Sequence, residues 1–198
     1  MIITVASFKG GVGKSTTAVH LAAYFNQKKV STLLVDGDPN RSVTGWSKRG
    51  SLPFPVCDER QAAKLSREYD NLVIDTKARP EKDDLKALAD GCDLLIIPTT
   101  PDALSMDALI LTVDALQGIG SDRYRILLTI VPPKPSHDGE EARQTIEEAH
   151  LPIFKGEIPR LVAYQRAALQ GCLVGEVKDE RAENAWKAYQ TIGKEIKK

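Results

Sequence analysis

Lys9-Gly10-Gly11-Val12-Gly13-Lys14-Ser15-Thr16 is the stretch on which the reading of this chain turns. Before it runs Ile2 to Ser7, a short apolar segment that reads as a strand. After it, Ala18, Leu21, Ala22 and Phe25 recur at helical spacing, predicting a helix over residues 14–28. A glycine-rich turn between a strand and a helix is the setting of a phosphate-binding loop. Glycines let backbone N–H groups close around phosphate oxygens, and the helix N-terminus adds the positive end of its dipole. On this reading Gly10, Gly11, Val12, Gly13, Lys14, Ser15 and Thr16 wrap a nucleoside phosphate. Lys14 contacts the β- and γ-phosphates, and the Ser15 hydroxyl turns to Mg²⁺. The common pattern G-x-x-x-x-G-K-[ST] asks for Gly at position 8, where this chain has Phe8. Lys9 stands as an extra cation ahead of the glycines.

Outward from the loop, strand and helix signals alternate. Strands are predicted at residues 30–35, 54–57, 71–74, 93–98, 124–131 and 153–158. Helices are predicted at 59–68, 83–89, 104–117, 139–149, 163–170 and 180–197. Strands that are apolar throughout and alternate with helices imply an α/β fold: one mostly parallel twisted sheet with helices on both faces. Such a fold takes residues 1–198 as a single domain, and Pro132-Pro133-Lys134-Pro135 reads as a loop within it. Ligands of such sheets bind beyond the carboxyl ends of the strands.

Two further motifs end strands at that edge. Leu33-Leu34-Val35-Asp36-Gly37-Asp38-Pro39 brings Asp36 and Asp38 close to the loop, where carboxylates can act on metal or on attacking water. Read alone, the same residues also fit an Asp-Gly turn with solvated acids. Leu72-Val73-Ile74-Asp75-Thr76 places Asp75 where a carboxylate holds Mg²⁺. Lys77 and Arg79 follow as two cations whose contacts, with phosphate, DNA, a partner or solvent, stay open.

Composition bounds the remaining choices. The 198 residues hold 27 basic and 27 acidic side chains, so any nucleic-acid surface must be a local patch. The three cysteines are too few and too scattered for a disulfide framework, which fits a reducing cytoplasm. The start lacks the basic segment of a secretory signal. No apolar run approaches the roughly 20 residues that span a bilayer.

The loop K-G-G-V-G-K-S resembles the deviant Walker A box of the ParA/MinD family of ATPases. The similarity continues through D-G-D-P, through D-T at Asp75-Thr76, through Asp93–Ala108, and through Ile158-Pro159-Arg160. It is most specific before residue 110. Asn40 where Gln is usual, and Lys77 where proline is frequent, are departures. The resemblance implies ATP hydrolysis with Mg²⁺ by an ATP-dependent homodimer. Lys9 is then the lysine that reaches the partner's nucleotide, Lys14 the phosphate lysine and Asp38 the water-orienting acid. Asp36 is placed nearer the Mg²⁺ shell, with Ser15 and Asp75, and Pro159 close to the adenine. The helix after Pro98 joins the dimer interface.

The same resemblance implies a cargo to be partitioned or positioned, such as a plasmid, a chromosome or a large protein body. It also implies a cargo-adaptor or ATPase-stimulating partner. Non-specific DNA is the expected surface, with Arg160 and Arg181 as contacts, beside Arg166, Lys178 and Lys187. The chain would then be cytoplasmic, and associated with the nucleoid when bound to ATP. Alternatives are a MinD-like membrane switch and a protein-cargo switch without DNA. The membrane alternative rests on the stripe Trp186, Tyr189, Ile192 and Ile196, with Lys187, Lys194, Lys197 and Lys198 elsewhere on the helix. Packing of that stripe against the sheet is the favoured reading, which makes membrane binding the lesser expectation. An iron–sulfur reductase sharing the loop is disfavoured by the spacing of Cys92 and Cys172.

Overall fold

The computed structural model describes residues 1–196; Lys197 and Lys198, which the sequence reading assigned to the last helix and its cations, lie outside the described residues. The strands are β1 (Ile2–Ser7), β2 (Thr32–Gly37), β3 (Val56–Asp58), β4 (Asn71–Ala78), β5 (Leu94–Thr99) and β6 (Tyr124–Leu128). They form one six-stranded sheet in the order β3-β2-β4-β1-β5-β6. Every pairing is parallel. The helices are α1 (Lys14–Gln27), α2 (Ser42–Arg49), α3 (Glu59–Leu65), α4 (Lys82–Asp90), α5 (Ala103–Gly118), α6 (Asp138–Glu148), α7 (Val162–Gln170) and α8 (Ala182–Ile196).

Period-two alternation sorts the strand residues to two cores. Ile3, Val5, Leu34, Val73, Ile96 and Leu127 face a cluster that holds residues of α1, α2, α7 and α8. Ala6, Leu95, Ile97, Ile126 and Leu128 face the other side, beneath α4, α5 and α6. Leu33, Val35, Cys57 and Leu72 continue that second side beneath α3. Both faces are covered, which is why β1, β2 and β5 are apolar without alternation.

The apolar stripe of the last helix is part of this packing. Tyr189 and Ile192 are buried, and Trp186 and Ile196 pack at the margin of the same core. At Gly193 a methyl group would lie 2.2 Å from the Tyr24 ring, so α8 sits directly on α1.

Two elements differ from the sequence reading. Residues 153–158 form no sheet strand but touch it by isolated bridges, Ile126 to Ile153 and Val131 to Pro159. Prolines 152 and 159 bracket the segment, and its centre turns away to α8, where the Lys155 and Gly156 N–H groups donate to the Glu195 carboxylate at 2.9 and 2.8 Å. Helix α2 is additional. Ser42-Val43-Thr44-Gly45-Trp46 carries β-branched residues and a glycine, which disfavour helix, and only Val43 and Trp46 are buried.

Candidate nucleotide site

The loop between β1 and α1 folds as its glycines require. Gly11 (φ 77°) and Gly13 (φ 82°) occupy left-handed backbone that side chains rarely adopt. Below the loop, the Thr129 hydroxyl lies 2.9 Å from the Val12 carbonyl and 3.1 Å from that of Thr99, tying loop to sheet. Thr129 escaped the sequence reading because a lone threonine at a strand end carries no pattern.

Lys14 is buried, and its Nζ donates to the Lys9 carbonyl at 3.3 Å. Desolvation draws its pKa down, while the negative charges of Asp75 and Asp38 oppose that shift. An ammonium held in dry surroundings without a direct carboxylate contact is primed for an anionic ligand. The Ser15 hydroxyl donates to Asp75 Oδ2 at 2.6 Å. The other oxygen, Oδ1, is buried without a hydrogen-bond partner. Burial is the first cause that lifts the Asp75 pKa to about 7, against the opposing Ser15 hydrogen bond. An orphaned carboxylate oxygen beside a hydroxyl is a hard-oxygen donor set of the kind Mg²⁺ takes through one or two protein groups. The residues therefore fit the ion.

Asp38 lines the same cavity as Lys14 and Ser15, and its Oδ1 accepts from the Asn40 N–H at 2.9 Å. Asp36 pairs in register with Asp75 across β2 and β4, and its charge adds to burial in raising the Asp75 pKa, but its own carboxylate is engaged within the fold. Its Oδ2 accepts from the Thr44 N–H at 2.7 Å and the Thr44 hydroxyl at 2.6 Å, while Oδ1 lies 3.3 Å from the Asp38 N–H. It is fully buried and anchors the first turn of α2. Helix ends leave N–H groups that a carboxylate satisfies, and Asp36 does that here.

The cavity encloses about 740 Å³. Its lining includes the phosphate loop, residues of α2, and the largely apolar group Ile158, Pro159, Leu161 and Tyr164. Pro159 lines the same cavity as the phosphate loop. Lys9 does not face this cavity. Its Nζ donates to Asp102 Oδ1 at 2.8 Å and to Ser105 Oγ at 2.7 Å, at the N-terminus of α5. Asp102 also caps that helix through the Ser105 N–H at 3.1 Å. Lys77 pairs with Asp84 at 2.6 Å, and the Arg79 N–H donates to Ser7 at 3.2 Å.

A second cleft of about 470 Å³ gathers Arg160, Arg166, Lys178 and Arg181, as the sequence reading grouped them, but with Asp179 and Glu180 among them. Arg166 is taken by Asp179 at 2.6 Å. Lys187 is taken by Glu183 at 2.6 Å. Arg160 borders both cavities.

The profile of the CobQ/CobB/MinD/ParA nucleotide binding domain matches residues 3–174. The maintenance of carboxysome distribution protein A of Gloeobacter kilaueensis is 35% identical over 98% of this chain and 93% of its own length. Among solved structures, an ATP complex of McdA from Cyanothece superposes with a TM-score of 0.76 at 18% identity, covering 99% of this chain and 96% of that one. The MinC:MinD cell division complex of Aquifex aeolicus gives 0.76 at 16% identity, covering 99% and 95%.

Proposed function

Since the chain belongs to the CobQ/CobB/MinD/ParA nucleotide-binding family, we propose that it is an ATP-driven positioning switch, which dimerises on MgATP, binds DNA without regard to sequence, and lets go on hydrolysis. The observation that carries this reading is the meeting of Lys14, Ser15, Asp75 and Asp38 around one phosphate loop. Lys14 and the loop N–H groups hold the β- and γ-phosphates. Ser15 and Asp75 hold Mg²⁺, which draws charge from the phosphate oxygens when bound. Asp38 orients the water that attacks the γ-phosphorus as the bond to the β-γ bridging oxygen breaks. Pro159 supports the adenine, and Lys9 leaves Asp102 to meet the nucleotide of a second subunit.

The printed name of a relative at 35% identity, maintenance of carboxysome distribution protein A, supports a large protein body as the cargo, and an adaptor that recruits it or stimulates hydrolysis belongs to the same proposal. DNA is the preferred surface over a membrane because Tyr189 and Ile192, the centre of the apolar stripe, are buried in the core. The test is an electrophoretic shift of duplex DNA with ATP, with ADP and without nucleotide, alongside sedimentation. Asp38→Ala is expected to accumulate as an ATP dimer that shifts DNA, while the ADP form stays monomeric and does not. A monomer in ATP, or a shift independent of nucleotide, would sink the reading.

A further inference from the structure

Arg41 occupies left-handed backbone, with φ 53° and ψ 41°, immediately before α2. A side chain there is strained, and such strain persists only where the surroundings enforce it. The guanidinium supplies those surroundings. Its Nη1 donates to the Asp36 carbonyl at 2.6 Å and to Glu59 Oε2 at 2.6 Å, and Nη2 donates to Glu59 Oε1 at 2.9 Å. The backbone of the same residue closes the turn, since its N–H donates to the Asp38 carbonyl at 2.9 Å and its carbonyl accepts from Gly45 at 2.8 Å. Asp38 therefore lies inside a loop that one arginine fastens at both ends. Arg41 and Asp38 border the same nucleotide cavity.

The ion pair is too exposed, at 37% and 51%, to be a major source of stability. Its geometry is specific all the same. A planar fork spans a carboxylate bidentately while a further N–H reaches a carbonyl, which a lysine cannot reproduce. The Arg41 hydrogen bond holds the Glu59 carboxyl at about 2, so the clasp stays charged at neutral pH. The anchor itself is firm, because Asp58, the residue before Glu59, pairs in register with Asp36 across β2 and β3.

We propose that Arg41 is a positioning residue for hydrolysis: clasped to Glu59 and to the Asp36 carbonyl, it holds the turn that aims Asp38 at the attacking water. The proposal rests on the reading of Asp38 as the water-orienting acid. Fixing a catalytic group to within a fraction of an ångström governs turnover far more than binding.

Arg41→Gly separates position from stability, since glycine accepts the left-handed backbone without strain. Steady-state turnover of MgATP by the full chain is expected to fall at least tenfold in kcat, with KM within twofold and a thermal midpoint equal to or above wild type. Arg41→Lys, with the charge but not the fork, should regain little of the rate. Glu59→Gln should lower kcat in the same sense. A wild-type kcat in Arg41→Gly overturns the proposal, as does a fall in midpoint with a matching rise in KM, which marks a structural role. Asp38→Ala, assayed beside them, keeps the two readings apart. If it is slow while Arg41→Gly is not, only the role of Arg41 fails; if it turns over like wild type, the reading of Asp38 fails and takes this proposal with it.

Discussion

Lys9 shows how one side chain can be legible in kind and not in place. Its position ahead of the glycines marks it as distinct, yet no pattern says where its ammonium rests. In the structure it rests on Asp102 and Ser105. At 29% and 49% exposure the pair is a weak tether, worth no more than about 1 kcal/mol. In the proposed dimer, the partner's nucleotide, with several negative charges, would be the stronger attraction. Without a cation between them, two such nucleotides repel. Lys9→Ala is therefore expected to bind ATP with near wild-type affinity, because Lys14 supplies the phosphate charge, and yet form no ATP dimer and hydrolyse little. Calorimetry and sedimentation of the same sample decide the matter, and a full dimer in the variant would leave Lys9 as a tether of α5 alone. Lys14 and Ser15 stand out in the sequence by their spacing in the loop and Asp75 by ending an apolar strand, and the structure brings Ser15 and Asp75 into contact. Arg41, Asp102 and Thr129 do not stand out, because each acts through contacts with residues at distances in sequence that only folding closes.

Helix α1 is tied to several other elements through His20. The ring is wholly buried, with Nδ1 2.7 Å from the Thr16 carbonyl, while Nε2 accepts from the Val174 N–H at 3.1 Å. That acceptance leaves Nδ1 as the protonated nitrogen, donating to Thr16. Tyr189 stacks on the ring at 4.8 Å, and Trp46 and Tyr164 meet it edge-on, both at 5.8 Å. α1, α2, α7 and α8 thus converge on one neutral imidazole behind the phosphate loop. Burial, the largest cause, lowers its pKa to about 4 from 6.5. Between those values the unfolded chain takes up a proton that the folded chain refuses, so stability falls as pH falls. Over that window the loss is about 3 kcal/mol. His20→Gln, which keeps a donor and an acceptor but cannot charge, is expected to lose that much less between pH 7 and pH 4. Urea unfolding of both proteins at the two pH values measures the difference, from which shared carboxylate effects cancel. Equal losses would mean that His20 is protonated in the fold. At this scale the legible elements are α1, by its helical spacing, and β1 and β5, which are short apolar runs bounded by turns. The segment 153–158 misleads because its Lys155 and Gly156 N–H groups turn to Glu195 of α8 instead of the sheet, and α2 is not legible because the Asp36 carboxylate, not propensity, satisfies its first turn.

For the molecule as a whole, charge balance constrains how DNA can be held. With 27 basic and 27 acidic side chains, no long-range field draws the chain to a polyanion. The proposed DNA surface is then the cleft, where Lys178 and Arg181 stand with Arg160 while Asp179 engages Arg166. On the proposed function, such a cleft on one subunit would neutralise few phosphates and bind weakly at physiological salt. In the proposed dimer, two subunits would double the contacts without any change in either cleft, so nucleotide would act on DNA through assembly alone. Arg181 is the cleaner probe, because Arg160 also borders the nucleotide cavity and its loss would disturb both sites. Each phosphate neutralised contributes a slope of about −0.9 to the dependence of log affinity on log salt. Arg181→Glu in the ATP dimer should therefore flatten that slope by about 2, one contact from each subunit, and weaken all DNA sequences alike. ATP affinity and the dimer in sedimentation should be unchanged. Fluorescence anisotropy across a salt series reads the slope directly, and a variant as steep as wild type would remove Arg181 from the DNA surface.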